Sequence, residues 1–227
     1  MPLERPLYPV GLVLAGRAAL VVGGGRPAAR KVPGLLACGA SVTVVAPRID
    51  QEIAELEAAQ ATAPAPATPP GSRLELQRRP YRAGEVAGYA LAIAATGSAE
   101  VDGAVFADGE AAGVLVNAAD DAAHSSFVLP ALWRRGAVSV AVSTDGTSPA
   151  LAVWLRDRIA ALLDPSIEEL AQLLAATRRR IRAAGRSSEG LAWPALIDDL
   201  AALLAAGSAP AARLAAERFV EEVLGRN

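Results

Sequence analysis

Gly23-Gly24-Gly25-Arg26-Pro27-Ala28 has the spacing G-x-G-x-x-A, with the apolar run Ala18 to Val22 before it and a helical stretch opening at Pro27. Such glycines let the chain turn tightly and bring backbone N–H groups against a pyrophosphate, whose charge a helix N-terminus favours. Without a ligand, the same residues make a plain glycine turn. Asp120 is a carboxylate that could exchange a proton with a substrate beside a bound nicotinamide, and an Asx-turn or helix cap is its equally common use. Asp121 is read as its solvated neighbour. His124, the single histidine, is the one proton carrier near neutral pH, set against an ordinary polar contact. Ser143-Thr144-Asp145-Gly146-Thr147-Ser148-Pro149 gathers hydroxyls and amides at a helix start, where substrate carboxylates can be held as well as the cap itself. Arg178, Arg179, Arg180 and Arg182 read first as a solvated helix face and second as anion-facing. Cys38, ending an apolar helix, reads as a small buried hydrophobe.

These groups must be positioned by a scaffold. The 227 residues carry 22 basic and 24 acidic side chains, a net charge of −2, which argues against a general nucleic-acid binder. One cysteine leaves no disulfide framework or cysteine-cluster zinc site, and one histidine leaves no His-pair motif, so no resident metal is expected. No uncharged apolar run reaches the ~20 residues that span a bilayer, and the N-terminal sequence makes a poor signal core. A cytoplasmic protein without membrane contact is expected.

Short apolar runs at Ala18–Val22, Val42–Val45, Leu74–Gln77, Leu91–Ala95 and Val114–Val116 alternate with helical stretches from about Pro27 to Cys38, Ile49 to Glu57 and Glu100 to Glu110. That alternation predicts an α/β fold with a doubly wound, mostly parallel sheet of Rossmann type over residues 1–117. Ala58 to Ser72 reads as a solvated Ala/Pro insert. Phe127–Leu129 and Val138–Val142, either side of Arg134-Arg135-Gly136, predict an antiparallel pair within a small β element over 118–148. Its unpaired edge would be covered in a homodimer. Residues 149–227 read as a helical domain, with Ser148-Pro149 as a cap and Ser166-Ile167-Glu168-Glu169 as a capping box.

Ligands of open α/β sheets lie beyond the carboxyl ends of the strands. The glycine turn, Thr96-Gly97-Ser98 and Asn117 to Asp120 should therefore line one rim. Two irregularities stand out. Where an NAD site commonly carries an acid after the second strand, this chain has Val45-Ala46-Pro47-Arg48. Arg48 either faces a 2′-phosphate, favouring NADP, or is solvated. Pro33, inside the first crossover helix, should bend or break it.

The ordered set of motifs resembles the precorrin-2 dehydrogenase/sirohydrochlorin ferrochelatase family, also the N-terminal module of siroheme synthase. It comprises Tyr8-Pro9-Val10, Val21-Val22-Gly23-Gly24-Gly25-x-x-Ala28-x-Arg30-Lys31, Leu91-Ala92-Ile93-Ala94-Ala95-Thr96, Asn117-x-x-Asp120, Ser126-Phe127-x-x-Pro130 and Val140-Ala141-Val142-Ser143-x-x-Gly146-Thr147-Ser148-Pro149. The resemblance implies NAD-dependent oxidation of precorrin-2 to sirohydrochlorin, Fe²⁺ insertion in many members, and a homodimer joined through the region after Asn117. It puts the catalytic aspartate on Asp120, with transient Fe²⁺ there in chelation. NAD contacts fall on Gly23, Gly24, Gly25, Arg26, Pro27, Pro47 and Arg48, joined by Thr96 on the rim. Asn117, His124, Ser143, Thr144, Gly146, Thr147 and Ser148 are the candidate tetrapyrrole contacts. The missing acid after the second strand is usual in this family, which moves the expected cofactor to NAD. Thr144 stands where some members carry a phosphorylated serine. No methyltransferase-like segment is present, so precorrin-2 is expected from another protein. Two alternatives are a dinucleotide-sensing regulatory module and an NADP-linked oxidoreductase acting on another small molecule.

Overall fold

The computed structural model describes residues 6–62, 71–119 and 121–225. Contacts divide the chain into two compact units, Met1–Leu129 with Asp145–Thr147, and Pro130–Thr144 with Ser148–Asn227.

In the first unit, β1 (Ala18–Val22), β2 (Ser41–Val45), β3 (Arg73–Gln77), β4 (Leu91–Ala94) and β5 (Leu115–Ala118) form a parallel sheet in the order β3-β2-β1-β4-β5. The runs are continuous rather than alternating because both faces are covered. Ala19 and Val21 of β1 join one core with residues of α1 (Arg26–Ala37) and α2 (Gln51–Thr62), whereas Leu20 and Val22 join another with Val105 of α3 (Ala99–Ala112). Each fully buried Leu or Val contributes ~1.5–3 kcal/mol by leaving water. The register aligns Val22 with Val45 and with Ala94, and Ala94 with Ala118, so four strands end at one level. The order reverses between β2 and β4 around β1, and a crevice opens at that switch point.

Several expectations need correction. α1 is not broken at Pro33, which lies on its exposed face. α2 continues to Thr62, so the Ala/Pro insert begins helically; its residues 63–70 lie outside the described residues. β5 runs to Ala118, which places Asn117 within the strand. The segment expected as a strand at Phe127–Leu129 instead backs the sheet edge. Ser126 N–H donates to the Val116 carbonyl at 2.7 Å, and Asn117 Nδ2 donates to the Phe127 carbonyl at 2.9 Å.

In the second unit, β6 (Ala131–Arg135) and β7 (Val138–Val142) form an antiparallel hairpin. Arg134 and Arg135 belong to the strand, and the turn is Gly136-Ala137, with Gly136 at φ +55°. The hairpin packs on α4 (Pro149–Leu162). Ser148 caps α4 as expected, its hydroxyl accepting from Leu151 N–H at 3.2 Å. Ser166 does not form the expected capping box: its backbone, at φ −81° and ψ 2°, is not extended as a capping residue's is, and its hydroxyl donates to Asp164 Oδ1 at 2.6 Å. The remaining helices, α5 (Ile167–Ala183), α6 (Trp193–Ala205) and α7 (Ala209–Gly225), enclose Leu170, Leu196, Leu200, Leu204, Ala212 and Ala216.

Candidate dinucleotide cleft

The three glycines of the turn do different work. Gly23 sits at φ +120°, and a Cβ there would collide with the Ala95 carbonyl at the end of β4. A Cβ on Gly24 would strike the Arg48 carbonyl. Gly25 has φ −90° and ψ −172°, extended backbone open to any residue, and a Cβ would meet only Pro27 Cδ at 3.8 Å. The chain's own packing therefore requires Gly23 and Gly24 but leaves room at Gly25, where a pyrophosphate must approach the backbone. Ala28, in the third motif position, is fully buried and lets α1 lie close on the sheet.

No side chain caps α1, and its first turn carries no acid. Arg26 at that end opposes the helix macrodipole, an arrangement that a bound anion relieves. These features fit a dinucleotide. The turn opens into a cleft of about 590 Å³ lined by Gly23, Gly24, Gly25, Pro47, Arg48 and Thr96 from the expected set. Arg26 and Pro27 are exposed at the helix start and do not line it.

The cleft has two further walls that the motifs did not mark. Asp50 lines its mouth; its N–H donates to the Gly24 carbonyl at 2.7 Å, and its carboxylate accepts from Glu52 N–H at 3.0 Å. An acid therefore does follow β2, displaced past Arg48 to the start of α2. Tyr81 lines the cleft beside Pro80 and is fixed from behind, its hydroxyl donating to Asp108 Oδ2 at 2.8 Å. Burial and that hydrogen bond hold the phenol well above its ordinary pKa. Arg79 and Glu85 anchor the same segment at 2.6 Å. Burial pushes the Glu85 carboxyl up, but the Arg79 guanidinium and Arg82 N–H bring it below the usual carboxylate range.

Thr96 borders the cleft but is engaged within the protein. Its hydroxyl donates to the buried Asp102 carboxylate at 2.7 Å and accepts from Ser98 N–H at 3.0 Å, while its own N–H donates to Asp102 at 3.1 Å. Asp102 in the first turn of α3 has a negative charge suited to that helix end. No spacing rule would have singled it out.

Asp120 lies outside the described residues. Before it, Ala119 N–H donates to the Ala94 carbonyl at 2.7 Å, extending the ladder past the end of β5. Beyond it, Asp121 is not a bystander. Its carboxylate meets His124 Nδ1 at 2.6 Å and accepts from Ala123 N–H at 3.0 Å, and the imidazole holds this acid below its ordinary range. The His124 ring stands edge-on to Phe106, centroids 5.5 Å apart. Asn117 is buried and tied to Phe127, and neither it nor His124 lines the cleft.

The expected anion loop is built chiefly as a cap. Thr144 Oγ1 donates to the Ser148 carbonyl at 3.0 Å and accepts from Ser148 N–H at 3.1 Å. Ser143, Gly146 and Thr147 are exposed.

Residues 10–131 match the family described as "Putative NAD(P)-binding". The chain belongs to that family. Residues 135–162 also match the family described as "Sirohaem biosynthesis protein central". Siroheme synthase of Chromobacterium violaceum is 39% identical over 178 residues, covering 78% of this chain and 35% of that protein. Siroheme synthase 3 of Aeromonas hydrophila subsp. hydrophila is 34% identical over 219 residues, covering 94% and 44%. The chain thus spans less than half the length of these curated relatives. A solved structure of "SirC, precorrin-2 dehydrogenase" superposes with a TM-score of 0.65 at 27% identity, covering 96% of this chain and 98% of that one.

Proposed function

We propose that the protein is an NAD-dependent precorrin-2 dehydrogenase, oxidising precorrin-2 to sirohydrochlorin. The observation that carries this reading is the end-to-end likeness to SirC, which includes the helical unit beyond the NAD(P)-binding match. The turn at Gly24 and Gly25 and the start of α1 would hold the pyrophosphate, with Pro47, Arg48, Asp50 and Tyr81 around the adenosine side. When bound, the dinucleotide supplies the two-electron acceptor. Loss of two hydrogens also releases a proton, and Asp120 takes it. His124, paired with Asp121, orders the segment that follows Asp120.

The working form in this reading is a homodimer joined through the hairpin and α4. Only Ala152 of α4 is buried, while Trp154 is 54% and Leu162 84% exposed on the same helix. A helix that leaves this much apolar surface in water calls for a second protein surface. No described helix is long and apolar enough to cross a membrane.

The test is an anaerobic absorbance assay with precorrin-2 and NAD⁺, then Fe²⁺, each step scored separately. Sirohydrochlorin absorbance that grows only with NAD⁺ and protein together supports the reading. An unchanged spectrum over a saturable NAD⁺ titration makes the protein a sensor, and turnover with NADP⁺ on another substrate makes it a different oxidoreductase.

A further inference from the structure

The helical unit contains a second concavity, of about 730 Å³, between α5 and α6. Leu174, Arg178 and Arg182 follow the i, i+4, i+8 spacing of one α5 face, and Arg179 stands beside them. Across the groove, Trp193 and Ile197 are one turn apart on α6. The indole is fixed, its Nε1 donating to the Ser188 carbonyl at 2.8 Å and its ring resting 5.5 Å from Phe219.

The charge is one-sided. Three guanidiniums line the groove against one carboxylate, Glu189. Among the described residues none of these three arginines is ion-paired, although Arg79, Arg156 and Arg213 each are. Like charges at neighbouring helix positions destabilise the helix that carries them. An anion along the groove removes that repulsion, and guanidinium forks match carboxylates in paired geometry. The apolar lining adds a second requirement. A small inorganic anion gains nothing from Leu174, Trp193 and Ile197, whereas a flat apolar body edged with carboxylates uses both features. The volume lies within the ~300–1,000 Å³ range of small-molecule sites.

We infer that the α5–α6 groove binds a polycarboxylate macrocycle, with the ring against Trp193 and Ile197 and the carboxylates on Arg178, Arg179 and Arg182. The choice of a macrocycle among amphipathic polyanions rests on the proposed dehydrogenase reading. The groove itself lies wholly within the helical unit.

The probe is uroporphyrin III, an octacarboxylate porphyrin. It is titrated into the full chain carrying Trp133→Phe and Trp154→Phe, so that Trp193 is the only indole. Saturable quenching of Trp193 is expected, with at least tenfold weaker binding once Arg178→Gln and Arg182→Gln are added and the melting temperature is not lowered. Absence of quenching, or binding kept within twofold by the arginine variant, overturns the inference. A single-stranded oligonucleotide that displaces the porphyrin at lower concentration than free porphyrin also overturns it, assigning the groove to nucleic acid. The precorrin-2 assay is scored independently: quenching without oxidation keeps the groove and removes the dehydrogenase reading, and oxidation with a silent Trp193 does the reverse.

Discussion

Two turns leave the sheet at the same level, one after β1 and one after β4, and they have opposite characters. The turn after β4 satisfies itself: Thr96 and Ser98 bond to each other, and Asp102 takes both the Thr96 hydroxyl and its N–H. The turn after β1 has no such internal partner at its helix start, which carries no cap and no acid. A turn that closes on itself can shape a cleft, whereas one that ends on an uncapped helix can bind an anion there. The contrast separates residues that build the cleft from residues that face its ligand.

Gly23→Ala should have the largest effect, because it meets both a positive φ and the Ala95 carbonyl. Loss of about 1–3 kcal/mol of stability is expected from the backbone alone, together with loss of NAD⁺ binding, read by thermal melts and calorimetry. Thr96→Val should cost about 1–3 kcal/mol by leaving the buried Asp102 carboxylate short of a donor, yet keep the NAD⁺ Kd within twofold. A tenfold change in Kd would instead make Thr96 a cofactor contact. Gly25→Ala should cost no more than about 1 kcal/mol of stability, the difference between glycine and alanine at a helix N-cap, since a Cβ there meets only Pro27 Cδ at 3.8 Å, but should weaken NAD⁺ by about tenfold, or 1.4 kcal/mol. Unaltered affinity in that variant would put the pyrophosphate elsewhere.

The smallest expected effect concerns the Tyr81 wall. Glu85 is depressed in the folded protein, so its contribution is present above the unfolded value near 4.3 and disappears as pH falls through the lower folded value. Arg79→Gln removes a main cause of that depression, and carboxyl-carbon NMR should show Glu85 titrating at higher pH. An unmoved titration would mean that the 2.6 Å pair does not order this wall.

The sheet was legible because strands buried on both faces read as continuous apolar runs, as at Leu20-Val21-Val22 and Leu91-Ala92-Ile93. The glycine motif was equally legible, since close backbone approach admits no other residue at Gly23 and Gly24. Side chains recruited from afar were not. Asp102 and Asp108 look like ordinary helix-surface acids, and only tertiary packing brings them to Thr96 and Tyr81. The hairpin was misplaced by a few residues because Phe127-Val128-Leu129 is as apolar as a strand, although its hydrogen bonds go to the edge of β5. The Ser166 box failed for a local reason: Asp164, two residues earlier, accepts from both the Ser166 N–H and hydroxyl in a turn that leaves the Ser166 backbone without the extended geometry of a cap.

The most direct test of the account is Asp120→Ala, assayed anaerobically for sirohydrochlorin formation while NAD⁺ binding is measured on the same preparation. The expected result is wild-type affinity for NAD⁺ with dehydrogenation lost by a factor of about 10²–10⁴, the usual range for removing a proton-transfer group. Near-normal turnover by that variant would contradict the assignment of Asp120 as the proton acceptor.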